Sequence, residues 1–241
     1  MNFFLIHGGA QGGWCWDGVI AELASSGHTA VAPTLPGCEP GTLVAPEVDL
    51  SDLITFATAE LTSLDWDDAI VVSHSGGGPV AQGVAEELVG KLRHLIFVDA
   101  FVLDDGQSLL DVAQAEQGDG QLGDSGQISS VAFSPEERWI HELCRDMTDS
   151  EARSWLPKVV PIPMGWLTEP VRLTKGSWRE IPAAYILLEG ESVEARVLYE
   201  SMARKLTNPI IVRCVGAHEA MLSQPRALAA AILKATKVDR L

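Results

Sequence analysis

One serine stands where an apolar run of the sequence changes abruptly into glycines. The stretch VVSHSGGG at residues 71–78 reads as a strand, a tight turn at Ser75 and the start of a helix. A serine on such a turn resembles a nucleophile elbow, whose pattern G-x-S-x-G needs small residues two positions away on either side. Gly77 meets this need, and Ser73 stands where the pattern has glycine. A phosphate-binding turn is the alternative, but no P-loop lysine follows.

A serine hydroxyl needs a base to become a useful nucleophile at neutral pH. Of six histidines, His218 is best placed, because it follows the last predicted strand on a loop that enters the final helix. Loops at the carboxyl ends of parallel strands are where such sheets place their sites. The other histidines are assigned to packing, to hydrogen bonds within loops, or to positions away from this edge: His7, His28, His74, His94 and His141.

The base in turn needs an acid, and in the order Ser, acid, His this acid follows the preceding strand. Glu189 and Glu191 both qualify, because they lie in the segment LLEGES at residues 187–192. Their spacing alone does not separate them, since alternate residues of an extended chain point the same way. Asp99, at the end of another predicted strand, is a third candidate.

Acyl transfer also needs backbone donors for the developing oxyanion. The segment HGGA at residues 7–10 follows the first predicted strand and lacks bulk, so we expect a donor from Gly9 or Ala10. The second expected donor is the N–H of Gly76, directly after the serine.

These residues must be positioned by a sheet, and the hydrophobic pattern predicts one. Short apolar runs alternate with segments of helical period, which indicates an α/β fold with a mostly parallel central sheet flanked by helices. We predict strands at residues 3–6, 29–32, 69–73, 95–98, 184–188 and 210–214, and helices at 19–25, 50–64, 78–92, 193–206 and 225–234.

The alternation fails between residues 101 and 178, where we expect a helical insertion over the site. Its segment 114–130 is rich in Gly, Gln, Ser and Asp and reads as a mobile loop, whereas 135–146 and 149–156 read as short helices. We expect an apolar substrate pocket over Ser75 that includes Gly8 and is roofed by residues of the insertion: Trp139, Trp155, Met164, Trp166 and Leu167.

Composition excludes several classes of function. The 241 residues carry a formal charge of -16, which disfavours binding to nucleic acids and anionic membranes. No apolar run is long enough to span a membrane, and no basic segment precedes His7, so we expect a soluble, unprocessed, cytoplasmic protein. Four scattered cysteines indicate neither a disulfide framework nor a zinc site, and we expect no metal.

Taken together, several segments resemble the α/β-hydrolase superfamily, in particular the branch of methylesterases, hydroxynitrile lyases and related bacterial esterases. They are FLIHGGA at residues 4–10 with WCW at 14–16, APTLPG at 32–37, the elbow, VDAF at 98–101 with DGQS at 105–108, and GAH at 216–218. The resemblance implies one domain over residues 1–241 with a cap at 102–178. It also implies that Glu191 is the acid, in place of the more usual aspartate, with Glu189 as the alternative.

The same resemblance bears on the reaction. Lyase members have a threonine directly after the residue matching His7 and a lysine after the residue matching His218, where this chain has Gly8 and Glu219. A lyase needs a cation for departing cyanide, so we expect a cofactor-free esterase acting on a small to medium apolar ester. A lactone, a C–C bond, lyase chemistry and a non-catalytic ligand-binding role stay open, as does a homodimer.

Overall fold

A computed structural model describes residues 1–44, 47–116 and 136–237. Its centre is a sheet of six strands in the order β2-β1-β3-β4-β5-β6, in which every neighbouring pair is parallel. The strands are β1 (Asn2–Ile6), β2 (Thr29–Val31), β3 (Ala69–His74), β4 (Leu92–Val98), β5 (Ala183–Leu188) and β6 (Ile210–Cys214). The predicted α/β fold is confirmed, and "mostly parallel" becomes fully parallel in the described part of the chain.

Helices cover both faces of this sheet. They are α1 (Asp17–Ser25), α2 (Leu50–Ser63), α3 (Gly78–Leu88), α4 (Leu109–Glu116), α5 (Glu136–Arg138), α6 (Asp149–Trp155), α7 (Met164–Thr168), α8 (Val193–Arg204), α9 (Ala220–Ser223) and α10 (Pro225–Ala235). A π-helical turn, Trp139–Leu143, continues α5.

Two hydrophobic clusters hold the layers together, because successive side chains of a strand point to opposite faces. In β1, Phe4 and Ile6 belong to one cluster with α2, α3 and α8, whereas Phe3 and Leu5 belong to the other with α1 and α10. Burial on both faces explains why the central strands are almost uniformly apolar.

The predicted elements lie close to their observed bounds, with two differences near the centre of the chain. We predicted a helix to residue 92, but α3 ends at Leu88 and a short 3-10 turn, Val89–Lys91, follows it. Gly90 is a poor helix former, which favours this early end. In consequence β4 begins at Leu92, and His94 lies within it rather than before it.

In its described part, the segment between β4 and β5 contains short helices joined by non-helical connections and no strand, as the failure of strand periodicity predicts. Most of the loop that we expected at residues 114–130 lies outside the described residues, and its first three residues end α4. No helix in the described ranges is both long and apolar enough to cross a membrane. All four cysteines are buried free thiols.

Candidate active site

The candidate residues meet at one edge of the sheet, because the carboxyl ends of parallel strands all lie on the same side. Ser75 follows β3, Asp99 follows β4, Glu191 comes shortly after β5, and His218 comes after β6. The loop after β1 brings Gly9 to the same edge.

Ser75 occupies a sharp strand-to-helix turn. Its φ of 49° is left-handed, a conformation that costs energy for a residue with a side chain. Its carbonyl accepts a hydrogen bond from the Phe101 N–H at 3.0 Å, which helps to hold the turn. A Cβ at Gly77 would lie 2.5 Å from the His7 carbonyl oxygen, so this position requires glycine.

Ser73, the departure from the glycine of the elbow pattern, is fully buried. Its hydroxyl has no hydrogen-bond partner within the described part of the chain. The fold therefore accommodates the serine without using its polar group.

Ser75, His218 and Glu191 form a continuous chain of hydrogen bonds. His218 Nε2 lies 3.0 Å from Ser75 Oγ, and His218 Nδ1 lies 2.9 Å from Glu191 Oε1. With the imidazole neutral, the hydroxyl donates to Nε2 and Nδ1–H donates to the carboxylate. The side chains of His218 and Glu191 are only 8% and 6% exposed, so water competes little with this pair.

Glu189 and Glu191 separate because the chain turns between them. The Glu189 and Gly190 N–H groups donate to the carbonyls of Cys214 and Gly216 at 2.9 and 2.8 Å, which extends the pairing of β5 with β6 beyond the strand ends. Glu189 and Gly190 then form a turn, which leaves Glu189 exposed and directs Glu191 to His218. The segment is therefore not extended, and the two glutamates do not point the same way.

Asp99 lies beside the same pair but in a different role. It is 1% exposed, and its Oδ1 accepts a hydrogen bond from the Leu188 N–H at 3.2 Å. Burial raises the pKa of its carboxyl well above the usual value, even though the charge of His218 acts in the opposite direction. The backbone of β5 thus engages the Asp99 carboxyl, whereas Glu191 is the carboxylate that contacts the His218 ring.

Asp99, Glu191 and His218 each offer one ligand atom within 4.8 Å of the others, a spacing that could hold a metal ion. Both imidazole nitrogens of His218, however, are already engaged by Ser75 and Glu191. A metal would have to displace one of these hydrogen bonds, so the donor set fits a hydrogen-bond chain better.

The pKa of His218 reflects competing effects. Burial lowers it, but the hydrogen bond and charge of Glu191, together with the charges of Glu219 and Asp99, raise it above the ordinary 6.5. An imidazole of raised pKa is a stronger base, and its protonated form is stabilised when it takes a proton from serine.

Two further histidines pack around the site. His7 donates from Nδ1 to the Gly8 carbonyl at 2.7 Å and accepts from the Leu35 N–H at Nε2, while burial lowers its pKa to about 4. His74, which we assigned to packing, lies at the cavity wall beside His218. The ring centroids of His74 and His218 are 4.5 Å apart. Burial and the charge of His218 keep the pKa of His74 well below the usual value.

The loop after β1 approaches the residue that follows Ser75. A methyl group added at Gly76 would lie 3.6 Å from the Gly9 nitrogen, so these two backbone segments are neighbours. Ala10, with a left-handed φ of 64°, turns this loop, and its carbonyl accepts from the Val160 N–H at 3.1 Å.

A cavity of about 250 Å³ opens over Ser75. Of the predicted pocket residues, Trp139, Trp166 and Leu167 lie in its wall. The structure adds cavity residues that the sequence pattern did not single out: Leu109, Leu110, Ala113, Leu143, Ile162 and Tyr199.

Three predicted pocket residues lie elsewhere. Trp155 stacks on Trp14 at 5.6 Å between ring centroids, and Met164 is 51% exposed. Gly8 lies behind the cavity wall, where a Cβ would come within 2.9 Å of both His74 Nδ1 and Ser75 Cβ. The count of apolar residues in the insertion could not show which of them face inward.

Comparison with known proteins agrees with this architecture. The model of the alpha/beta hydrolase family matches residues 3–231. A carbendazim-hydrolyzing esterase of Nocardioides is 39% identical over 114 residues, which cover 45% of this chain but only 46% of that enzyme. Methylesterase 7 of Arabidopsis thaliana is 28% identical over 97% of this chain and 95% of its own length.

A solved extracellular alpha/beta-hydrolase from Paenibacillus superposes with a TM-score of 0.83 at 23% identity and covers 99% of this chain and 100% of its own. At that identity the likeness concerns the fold. Because the family model spans nearly the whole sequence, the chain belongs to the alpha/beta hydrolase family, and its sequence is similar to those of methylesterases.

Proposed function

We propose that this protein is a serine hydrolase that cleaves carboxylic esters of small to medium apolar substrates through an acyl-enzyme. The observation that carries the proposal is the hydrogen-bond chain from Ser75 Oγ through His218 to Glu191, with contacts of 3.0 and 2.9 Å. The relatives named as esterases support the same class of reaction.

In this mechanism His218 accepts the proton of Ser75 as Oγ attacks the ester carbonyl. Glu191 orients the imidazole and stabilises its cationic form. His218 then protonates the departing alcohol and later activates the water that releases the acid. The buried setting of the pair strengthens this electrostatic support, because the local dielectric is lower than in water.

The negative charge of the tetrahedral intermediate needs backbone donors. We assign them to the N–H groups of Gly76 and Gly9, because the two segments are neighbours and Gly9 has no side chain to block a substrate oxygen. Ala10 is the alternative in the same loop. Each such donor contributes roughly 3 kcal/mol in comparable sites.

We assign residues 102–178 to a cap over the serine, whose described part includes the helices α4 to α7. Trp166 supports this arrangement, since its Nε1–H donates to the Gly76 carbonyl at 3.1 Å and so joins the segment to the nucleophile turn. A cavity of about 250 Å³ with a largely apolar wall suits small esters.

The test is hydrolysis of p-nitrophenyl acetate and butyrate together with labelling by a fluorophosphonate. Wild-type protein should turn over these esters, and the label should be found on Ser75 by peptide mass spectrometry. Ser75→Ala and His218→Ala should each lower kcat by roughly 10³-fold or more. Survival of most activity in Ser75→Ala, with the fold intact by circular dichroism, would refute the assignment.

A further inference from the structure

An acidic side chain that the proposed mechanism does not use faces the cavity. Glu219 directly follows His218 in the sequence and is 1% exposed. Among the described residues that line the cavity, it is the only carboxylic acid. Its N–H donates to the Leu143 carbonyl at 3.3 Å, so its backbone is fixed between the histidine loop and the helical segment above it.

The carboxyl of Glu219 is only partly satisfied by the protein. Gln11 Nε2 donates to Oε2, and this is the sole hydrogen bond to the carboxyl within the described ranges. A carboxylate offers about four acceptor positions, and a buried acceptor without a partner is unfavourable. Glu219 therefore retains acceptor capacity at the wall of a cavity that would hold a ligand.

The charges around Glu219 indicate whether such a ligand would be neutral or charged. Burial raises the pKa of the Glu219 carboxyl to about 7. The charge of His218 lowers this pKa, and the charges of Glu191 and Asp146 raise it. Arg138, the other charged side chain in the cavity wall, has its Nε 3.1 Å from Glu142 Oε2. In either protonation state the Glu219 carboxyl keeps an accepting oxygen, which fits a neutral O–H or N–H donor, and its ionised form repels an anion.

The position of Glu219 also restricts where that donor sits on the substrate. Glu219 and His218 line the same cavity, each charge affects the pKa of the other group, and His218 contacts Ser75 Oγ, so the Glu219 carboxyl lies near the reacting groups. A group that reaches both the Glu219 carboxyl and Ser75 Oγ must be short. The donor therefore belongs on the carbon next to the reacting carbonyl, or one bond farther away.

We propose that Glu219, held by Gln11, forms a polar subsite that selects esters with a hydroxyl or N–H donor next to the reacting carbonyl. This inference rests on the proposed esterase function and defines its substrate class more narrowly. The expected substrates are 2-hydroxy esters and their N–H counterparts rather than purely apolar esters.

The test compares three methyl esters of similar size. Methyl mandelate, as separate enantiomers, carries a 2-hydroxyl donor, methyl benzoylformate has an acceptor there, and methyl phenylacetate has neither. For each ester kcat/KM is measured with wild-type protein, Glu219→Met and the matched control Glu194→Met, which changes an exposed glutamate of α8.

In Glu219→Met, the ratio of kcat/KM for the preferred mandelate enantiomer over methyl phenylacetate should fall roughly tenfold or more. Any effect of Glu219 on the pKa of His218 should change kcat/KM for all three esters alike and leave this ratio unaltered, and Glu194→Met should also leave the ratio unchanged. Since the same esters are compared across variants, their intrinsic reactivities cancel. An unchanged ratio, or an equal loss for all three esters, would overturn the proposal.

A second measurement needs only wild-type protein and applies if Glu219→Met fails to fold. Competitive inhibition of p-nitrophenyl acetate hydrolysis by 1-phenylethanol and by acetophenone compares a donor with an acceptor on the same skeleton. The alcohol should bind more tightly, and equal or weaker binding would overturn the subsite. Absence of any ester hydrolysis by wild-type protein would instead reject the esterase function itself.

Discussion

Replacing Glu191 by glutamine tests the acid directly, because it removes one negative charge and keeps the shape of the side chain. Glu191 Oε1 lies 2.9 Å from His218 Nδ1 in a pair that is almost fully buried. At an effective dielectric of about 20, two unit charges at this separation interact by about 6 kcal/mol. That value is an upper bound on the loss, since glutamine still forms a hydrogen bond to the ring.

We therefore expect kcat to fall by about 10³- to 10⁴-fold, which corresponds to about 4–5.5 kcal/mol of transition-state stabilisation. Glu191→Asp keeps the charge but shortens the side chain by one methylene, so it should retain more activity than Glu191→Gln. The matched control is Glu189→Gln, which changes an exposed carboxylate two residues away and should stay within about twofold of wild type.

The assay is steady-state hydrolysis of p-nitrophenyl acetate, with circular dichroism and thermal unfolding to show that each variant is folded. If Glu191→Gln keeps more than about a tenth of wild-type kcat, the electrostatic argument is wrong. In that event Asp99→Asn becomes the decisive variant, because Asp99 is the other carboxyl near His218. A loss in Glu189→Gln equal to that in Glu191→Gln would also refute the assignment.

Two further predictions concern the loops and the protonation of the base. In Gly190→Ala the new Cβ would lie 2.6 Å from the Gly216 carbonyl oxygen, so the loops that carry Glu191 and His218 should move apart and kcat/KM should fall roughly 10- to 100-fold. The control in the same assay is Gly90→Ala, whose Cβ would have no atom within 4 Å. Equal activity of the two variants would contradict the expectation. Because activity needs neutral His218 and the pKa of His218 is raised, kcat/KM should fall as the pH drops through a midpoint above 6.5. Glu191→Gln should move that midpoint to lower pH. A pH–rate profile whose midpoint does not move in this variant would show that Glu191 does not raise the pKa of His218.

Much of the fold follows from local patterns in the sequence. Five of the six strands were predicted to within about a residue at each end, because strands buried on both faces are short apolar runs bounded by turn residues. β4 was the exception, since Arg93 and His94 interrupt its apolar character and hide its true start. The candidate serine and histidine were found by the same logic, as both follow such strands.

Other features depended on three-dimensional geometry. The choice between Glu189 and Glu191 is made by a turn and by two hydrogen bonds to the β6 loop, neither of which a two-residue spacing encodes. The direction of the tryptophans is decided by packing: Trp139 and Trp166 face the cavity, whereas Trp155 stacks on Trp14.

The contact between Gln11 and Glu219 joins residues 208 positions apart. By itself the sequence determined which segments become strands and which side chains can do chemistry, because those properties reside in residue type and local period. Only the tertiary structure decided which acid contacts the histidine and which groups line the cavity. Those outcomes depend on turns, hydrogen bonds and packing between segments that are far apart in the sequence.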